Sequence, residues 1–402
     1  WLARRVDATE ARLWRLFAAR GAAYTVSSFA GGLAGDVVGE WAQGAHALMG
    51  GALLAAGLGI ASVFVATSPN VLATCLTGVS MAMGVFDTVG NLAILKGSSK
   101  DASADMSIAH AAFGVGCFAA PSLALSLSER ALFATVAVSC AAAGLLVLLL
   151  PGVPIVQEVA AAKEEPRASC VLASAFALIF LYVGCEQGAG ALVETVARES
   201  VGEAVALRTT AGLWFALFLG RVACVPFVKD NQADAVVLAS ALLAVAASVC
   251  IAFSSAVATP VAVFVLGLAF GPIYPVAFAR LESKLVLTPL LGGLLVATGG
   301  LGEMALPPLL FLACHRQRAF GAALAAFCLA FGLAWANVLL HSSSSSSASS
   351  SGTYDRVPAK ELDGERLLSN DDDRPPSSSD NGGDDDNIEM TPVVVEGDSS
   401  SF

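Results

Sequence analysis

Long runs of apolar residues dominate this chain of 402 residues. Each has roughly the 20 residues that an α-helix needs to cross a bilayer about 30 Å thick. Hydrophobic residues make up 56% of the chain and charged residues only 14%, which excludes an ordinary soluble domain. We therefore predict an all-α membrane protein. The predicted spans are residues 20–38, 44–66, 70–95, 104–127, 131–151, 169–197, 205–228, 233–254, 257–280, 288–313 and 318–340.

An internal repeat relates the spans before and after a polar segment at residues 152–168. The fourth span contains Gly114-Val-Gly116 at the start of a G-x-G-x4-P pattern, and the tenth contains Gly300-Leu-Gly302 at the start of the same pattern. We expect these four glycines to permit close helix packing and bending. Two shorter matches lie at nearly the same offset: Gly35-Asp36 with Gly220-Arg221, and Gly84 with Gly271.

The repeat predicts two half-bundles related by a pseudo-twofold axis, as in transporters with parallel repeats. Residues 1–151 form the first half, and residues 169–340 form a second half of six helices. The offset places the counterpart of the 169–197 span before the first predicted span, so eleven of an expected twelve helices are present and the first is missing. Residues 152–168 are the predicted cytoplasmic loop between the halves.

Residues 341–402 form a Ser/Asp-rich tail of a different kind. They carry 14 acidic and four basic residues, which account for nearly all of the net charge of −11. With so few apolar groups the tail is predicted to be disordered in the cytoplasm. Tyr354-Asp-Arg-Val357 and Asp363-Gly-Glu-Arg-Leu367-Leu368 are candidate signals for sorting adaptors. The remaining chain is nearly neutral, so nucleic-acid binding is not expected.

The sequence lacks the motifs that are typical of metal sites, disulfide frameworks and enzymes. The nine cysteines are scattered through apolar segments without a C-x-x-C or Cys/His cluster, so neither a metal site nor a disulfide framework is predicted. No H-E-x-x-H, G-x-S-x-G or paired aspartate motif is present, so we do not expect an enzyme or a cofactor.

Three polar residues within apolar spans predict an ion path. An ionisable group in the middle of a membrane span costs about 2.5 kcal/mol or more. Such groups are therefore rare there and usually have a function. Asp87 and Asn91 share one helix face at spacing i, i+4, and His110 lies one turn before Gly114. Asp87 could exchange a proton or stay charged beside Na⁺, and all three are candidates for ion coupling. The alternative for each is a structural hydrogen bond to a neighbouring helix.

A second group of residues is predicted to bind solute. Glu186 and Gln187 interrupt the sixth span, and an acid and an amide suit sugar hydroxyls. Asn91 could also bind a hydroxyl, and Trp214 offers a surface for stacking. Tyr274 lies between two prolines that free backbone carbonyls in their helix. Helix packing is the alternative for Trp214 and Tyr274.

The strings MGVFDTVGNLAIL and HAAFGVGCFAAP resemble helices 4 and 5 of the sodium-dependent glucose transporter group, the major facilitator superfamily domain-containing 4 proteins. That group belongs to the fucose, galactose and glucose symporter family. LYVGCEQGAGALVETVA, GLWFALFLGRV, GLAFGPIYPVAFAR and GGLGEMALPPLLF are similar to its helices 7, 8, 10 and 11. The resemblance covers roughly residues 20–340 and implies a major facilitator helix bundle with a sugar site between its halves.

The resemblance also implies roles for single residues. In the fucose permease branch an acid before Thr in helix 4 takes part in proton coupling, and Asp87 followed by Thr88 matches that position. Asp36 lies in a G-x-x-x-D-x-x-G string that fits the superfamily's loop between helices 2 and 3, without the usual basic residues beside it. Asp36 is therefore a gate candidate, together with Arg221 and Glu303, where Glu303 could pair with Arg221 or with helix-end amides.

The sequence as a whole favours a secondary transporter for a hexose or similar small polar solute, driven by Na⁺ or H⁺ through Asp87. The alternative is a non-transporting receptor or sensor of the same fold that signals through its tail. The expected partners are the lipid bilayer and a sugar. The plasma membrane is the favoured location, with endosomal or vacuolar membranes as alternatives.

Overall fold

The structure is a computed structural model that describes residues 10–38, 43–98, 101–124, 126–152, 166–228, 232–255, 257–285 and 287–342. The predictions for most of the loop at 152–168 and for nearly all of the tail, including both candidate sorting signals, lie outside these residues.

The described residues form eleven α-helices, and each matches one of the eleven predicted spans. Nine of these helices, all except Glu10–Val38 and Ala102–Ala124, are long and apolar enough to cross a membrane. This confirms the prediction of an all-α, multi-pass membrane protein. The helices are α1 (Glu10–Val38), α2 (Gly44–Ser62), α3 (Pro69–Gly97), α4 (Ala102–Ala124), α5 (Glu129–Leu149), α6 (Pro166–Val201), α7 (Glu203–Ala223), α8 (Ala233–Phe253), α9 (Ala258–Lys284), α10 (Pro289–Cys314) and α11 (Gln317–Ser342), with short 3₁₀ turns at Val63–Val65 and Val225–Phe227.

Hydroxyl side chains define where several helices begin. Ser68, Ser128 and Thr288 immediately precede α3, α5 and α10, and each accepts a hydrogen bond from the backbone N–H three residues later, at 3.2–3.3 Å. Pro69 and Pro289 follow two of these caps at the first helical position, where a missing N–H costs nothing. Local sequence therefore determines where these three helices begin.

The helices pack in a pattern that occurs twice. In the first set α3 packs on α1 and α2, and α2 packs on α5; in the second set α9 packs on α7 and α8, and α8 packs on α11. The helix α6 packs on α7, α10 and α11. Within the described residues no helix packs in the corresponding way on α1, α4 and α5. The pattern agrees with the internal repeat, while the division into half-bundles stays a prediction.

Glycines bring particular helices into backbone contact. A Cβ atom on Gly302 of α10 would lie 2.0 Å from the carbonyl oxygen of Phe180 on α6. A Cβ on Gly300 would lie 2.9 Å from the ring of Tyr24 on α1, and one on Gly114 of α4 would lie 2.9 Å from Phe218 on α7. At these three glycines the helices approach so closely that a side chain would meet the neighbouring helix. Small residues are the usual means by which helices approach each other in a membrane.

Gly116 does not follow this prediction. No described atom lies within 4 Å of the position its Cβ would occupy. Its counterpart in the repeat, Gly302, touches α6, and no described helix occupies the corresponding place beside α4. The open face at Gly116 is thus where the repeated packing pattern lacks a member among the described residues.

Gly302 and Gly116 allow a matched test of this packing. Gly302→Ala should lower the free energy of unfolding by about 1–3 kcal/mol, because its methyl group would force α6 away from α10. Gly116→Ala should stay within about 0.5 kcal/mol of the parent, since its methyl group meets open space. Thermal unfolding of both variants in mild detergent measures the difference. Equal destabilisation would show that protein covers the face at Gly116.

Candidate functional site

A cavity of about 360 Å³ lies among helices α1, α3, α4, α6, α7, α9 and α10. Its lining combines ionisable, amide and aromatic side chains within an otherwise apolar bundle. Several of the residues predicted from the sequence contribute to it, namely Asp87, His110, Glu186, Gln187, Trp214, Arg221, Tyr274 and Glu303. Arg20, Tyr24, Phe113 and Tyr182 also line it and were not predicted.

Asp87 accepts a hydrogen bond at 2.5 Å from the hydroxyl of Tyr24 on α1. Gly84, one turn earlier on α3, makes this contact reachable, because a Cβ there would lie 2.5 Å from the carbonyl oxygen of Tyr24. Among the described residues no cationic side chain lies within 4.0 Å of the Asp87 carboxylate. The described residues also contain no cluster of three or more His, Cys, Asp or Glu that could hold a metal ion.

Asn91 forms hydrogen bonds with two residues of the cavity lining, His110 and Tyr274. Its amide oxygen accepts a hydrogen bond from Nε2 of His110 at 2.8 Å, and its Nδ2 donates to the hydroxyl of Tyr274 at 3.3 Å. His110 Nε2 must carry a hydrogen here, because an amide oxygen can only accept. The rings of His110 and Tyr274 lie 5.0 Å apart. Asn91 is 3% exposed and does not contribute to the cavity lining, so it positions these two residues from the side away from the cavity.

Arg221 is the most deeply buried cation of the site. Its guanidinium donates to the carbonyl of His110 at 2.7 Å, to the carbonyl of Gly271 at 3.3 Å and to Oε2 of Glu186 at 3.3 Å. The Gly271 carbonyl is available because Pro275, four residues later in α9, has no N–H to offer it. The prediction that prolines would free carbonyls near Tyr274 thus agrees with this geometry, and an arginine takes one of them.

The structure corrects the expected pairing of Arg221 with Glu303. The carboxylate partner of Arg221 is Glu186, and its guanidinium also lies 5.3 Å from the ring centre of Phe113. Gly220 brings α7 against α9, where a Cβ on it would lie 2.4 Å from the Leu268 carbonyl oxygen, and this holds Arg221 at the Gly271 carbonyl. Glu303 lies at the exposed rim of the cavity.

Asp36 is also separate from these groups. It lies in the last turn of α1 and is not part of the cavity lining.

Glu186 and Tyr182 share one face of α6 at spacing i, i+4. The hydroxyl of Tyr182 contacts Oε2 of Glu186 and also lies 2.8 Å from the carbonyl oxygen of Phe270 on α9. Gln187 Nε2 is 3.4 Å from the other carboxylate oxygen of Glu186. The i, i+4 spacing is a signal that could have identified Tyr182 from the sequence, whereas Tyr24 had no comparable signal.

Trp214 forms an aromatic wall of the cavity. Its ring packs over Gly190, where a Cβ would lie 2.2 Å from the indole, and it meets the ring of Phe113 edge to face at 6.3 Å. Both contacts leave Trp214 part of the cavity lining, and its role in solute binding stays a prediction.

Two contacts join helices that precede the polar segment at residues 152–168 to helices that follow it. Lys96 at the end of α3 forms an ion pair with Glu282 near the end of α9. The helices α1 and α10 touch through Gly32 and Gly293, since a Cβ on Gly293 would lie 2.9 Å from the Cα of Gly32.

Comparison with known proteins gives one sequence relative. No protein-family model matches this chain. Sodium-dependent glucose transporter 1 of Danio rerio is 32% identical over 123 residues, a match that covers 31% of this chain and 20% of that relative. The chain therefore matches only about a fifth of that relative's length.

Solved structures match far more of the chain. FucP, a major facilitator transporter crystallised in the outward conformation, gives a TM-score of 0.60 at 16% identity over 82% of this chain and 98% of its own. The human organic anion transporter MFSD10 (TETRAN) gives 0.65 at 16% identity over 84% and 88%. A second structure of FucP, the fucose:proton symporter of E. coli, gives 0.56 at 16% identity over 82% and 97%. This chain has the fold of the major facilitator superfamily.

Proposed function

We propose that this chain is a secondary transporter that moves a hexose or a similar small polar solute across a membrane by alternating access, coupled to Na⁺ or H⁺ through Asp87. The observation that carries the proposal is that the Asp87 carboxylate lines a cavity between helices. Its hydrogen-bond partner is the hydroxyl of Tyr24, and none of its partners among the described residues is a cation. Removing such a carboxylate from water is costly unless it gains a proton or a counter-ion. Binding of a coupling cation at this site removes that cost.

The cavity lining favours a neutral polar solute over an anion. Three carboxylates, from Asp87, Glu186 and Glu303, face the cavity together with two guanidinium groups, from Arg20 and Arg221. The excess of negative charge disfavours organic anions, which the human structural neighbour is named for transporting. The names of the fucose symporter and of the zebrafish glucose transporter support a sugar.

Alternating access is supported by contacts between the two parts of the chain. The Lys96–Glu282 ion pair and the contact of Gly32 with Gly293 each join a helix before residues 152–168 to a helix after them. Movement of one part against the other would break these contacts and change access to the cavity. We place the protein in the plasma membrane, with endosomal or vacuolar membranes as alternatives.

Hexose uptake into proteoliposomes tests the role of Asp87. The parent should accumulate labelled hexose above the external concentration under a Na⁺ or pH gradient. Asp87→Asn cannot gain a coupling cation, so accumulation should cease while exchange of internal for external solute continues. Glu194→Gln is the matched control, because Glu194 is part of an exposed ion pair with Arg198 on α6.

Gradient-driven accumulation that is unchanged in Asp87→Asn would remove Asp87 from the coupling role. Absence of solute flux in the parent, with solute binding retained, would instead support the receptor or sensor.

The KM of uptake tests whether the solute stacks on the Trp214 ring. Trp214→Ala should raise the KM of uptake about two- to tenfold, since aromatic stacking contributes about 0.5–1.5 kcal/mol. The adjacent Phe215→Ala should change it little, because Phe215 is outside the lining and packs on the rings of Phe118 and Phe218. An equal effect of the two substitutions would count against solute stacking on Trp214.

A further inference from the structure

We propose that Tyr24 is a positioning residue that transmits the binding of a cation at Asp87 to helix α10. The hydroxyl of Tyr24 donates to Asp87 on α3, and its ring lies against Gly300 of α10, a helix that follows the polar segment at residues 152–168. The role of Tyr24 in transport rests on the proposed function. The contacts that join these three residues do not depend on it.

The hydrogen bond of Tyr24 depends on the charge of Asp87. The tyrosine oxygen lies 2.5 Å from Oδ2 of the carboxyl group. A hydrogen bond to a carboxylate is roughly twice as strong as one to a neutral acceptor. A proton or Na⁺ that binds at Asp87 offsets the charge of the carboxylate and therefore weakens the bond from Tyr24.

The ring of Tyr24 lies where α1 meets α10. A Cβ atom on Gly300 would lie 2.9 Å from Cδ1 and 3.4 Å from Cε1 of this ring, so the ring occupies the space that a side chain at Gly300 would need. The phenol group is rigid, and its hydroxyl cannot change position unless the ring moves as well. A weaker bond to Asp87 therefore loosens the contact between α1 and α10.

Helix α10 in turn lies against α6, the helix that carries Glu186. A Cβ on Gly302 would lie 2.0 Å from the carbonyl oxygen of Phe180, and a Cβ on Gly184 would lie 2.7 Å from the carbonyl oxygen of Gly302. Because the two backbones are in contact, α10 cannot move without changing its fit against α6. Tyr24 thereby connects the candidate ion site to the side of the cavity that is predicted to bind solute.

The backbone of α1 is held on α3 without the help of the Tyr24 hydroxyl. A Cβ on Gly84 would lie 2.5 Å from the carbonyl oxygen of Tyr24, which shows how closely the two helices approach. One turn later Oγ1 of Thr88 donates to the carbonyl of Ser28 at 3.1 Å, and both residues are fully buried. Tyr24→Phe keeps these contacts and the ring, so its thermal unfolding should stay close to that of the parent.

Labelling of Cys117 tests the transmission without solute or an ion gradient. Cys117 of α4 and Glu303 of α10 both line the cavity, so movement of α10 changes the access of a water-soluble reagent to the thiol. Asp87→Asn keeps an oxygen that can accept from Tyr24 but removes the charge. In the purified full chain, Asp87→Asn should change the rate at which a membrane-impermeant maleimide labels Cys117 by at least about fivefold, the lower end of typical coupling between two sites.

This effect should require the Tyr24 hydroxyl. In the Tyr24→Phe background, Asp87→Asn should change the labelling rate of Cys117 by less than about twofold, which is the usual deviation for sites that do not interact. Phe29→Leu is the control on the same helix and should keep the full effect, because Phe29 is 39% exposed and lies outside the cavity lining. Cys170, which is exposed near the start of α6, gives a reference rate in each sample. An effect of equal size with and without the hydroxyl, or no effect of Asp87→Asn in the parent, would overturn the proposal.

Gly300→Ala tests the same contact from the side of α10. Its methyl group would take the space of the Tyr24 ring while the hydroxyl and Asp87 remain. We expect this variant to reduce the effect of Asp87→Asn on Cys117 labelling as Tyr24→Phe does. A full effect in Gly300→Ala would show that the contact with α10 is not needed, and it would contradict the proposal.

Uptake into proteoliposomes then tests the role in transport. Tyr24→Phe should keep the KM for hexose within about twofold of the parent. It should lower gradient-driven accumulation at least about fivefold, because cation binding at Asp87 no longer reaches α10. A raised KM with unchanged accumulation would show that Tyr24 acts on the solute and would refute the role in coupling. A parent with no hexose flux would count against the proposed function and would leave the labelling result standing.

Discussion

A guanidinium group cannot shed its charge inside an apolar bundle, so the structure around Arg221 must supply acceptors for its hydrogens. It does so from three neighbouring helices: the Gly271 carbonyl that Pro275 leaves without a partner on α9, the His110 carbonyl on α4, and Glu186 on α6. An arginine on α7 thereby fixes how four helices meet at the cavity. His110 and Glu186 are in turn hydrogen-bonded to Asn91 and Tyr182, which connects this arrangement to the rest of the site.

The same closeness of backbones recurs in the two sets of helices. Gly84 of α3 lies against the carbonyl of Tyr24 on α1, and Gly271 of α9 lies against the carbonyl of Leu217 on α7. In the comparison of the two sets, Leu217 on α7 therefore corresponds to Tyr24 on α1, and Arg221 corresponds to the residue one turn after Tyr24. The sequence repeat instead aligned Arg221 with Asp36 at the end of α1, so the sequence alignment and the packing place Arg221 differently. Short glycine matches identify a repeat more reliably than they align its members.

The sequence was sufficient to predict all eleven helices, because each apolar run has helical length and clear polar boundaries. It also identified Asp87, Glu186 and Trp214 as residues of the cavity, since polar and aromatic groups are conspicuous within apolar spans. It could not identify the partners of these residues. The contact of Arg221 with Glu186, and that of Tyr24 with Asp87, depend on the rotation and depth of one helix against another. Tyrosine in an apolar helix is most often a packing residue, so its sequence context carries little information about a hydrogen bond.

Each buried carboxylate of the cavity has a tyrosine hydroxyl beside it, Tyr24 at Asp87 and Tyr182 at Glu186. A hydroxyl can donate to an ionised carboxylate and accept from a protonated one, so each tyrosine can stay bonded to its acid in both protonation states. A lysine or arginine in that place would hold the acid permanently ionised. Among the described residues Glu186 also lies beside Arg221, which donates to two backbone carbonyls as well.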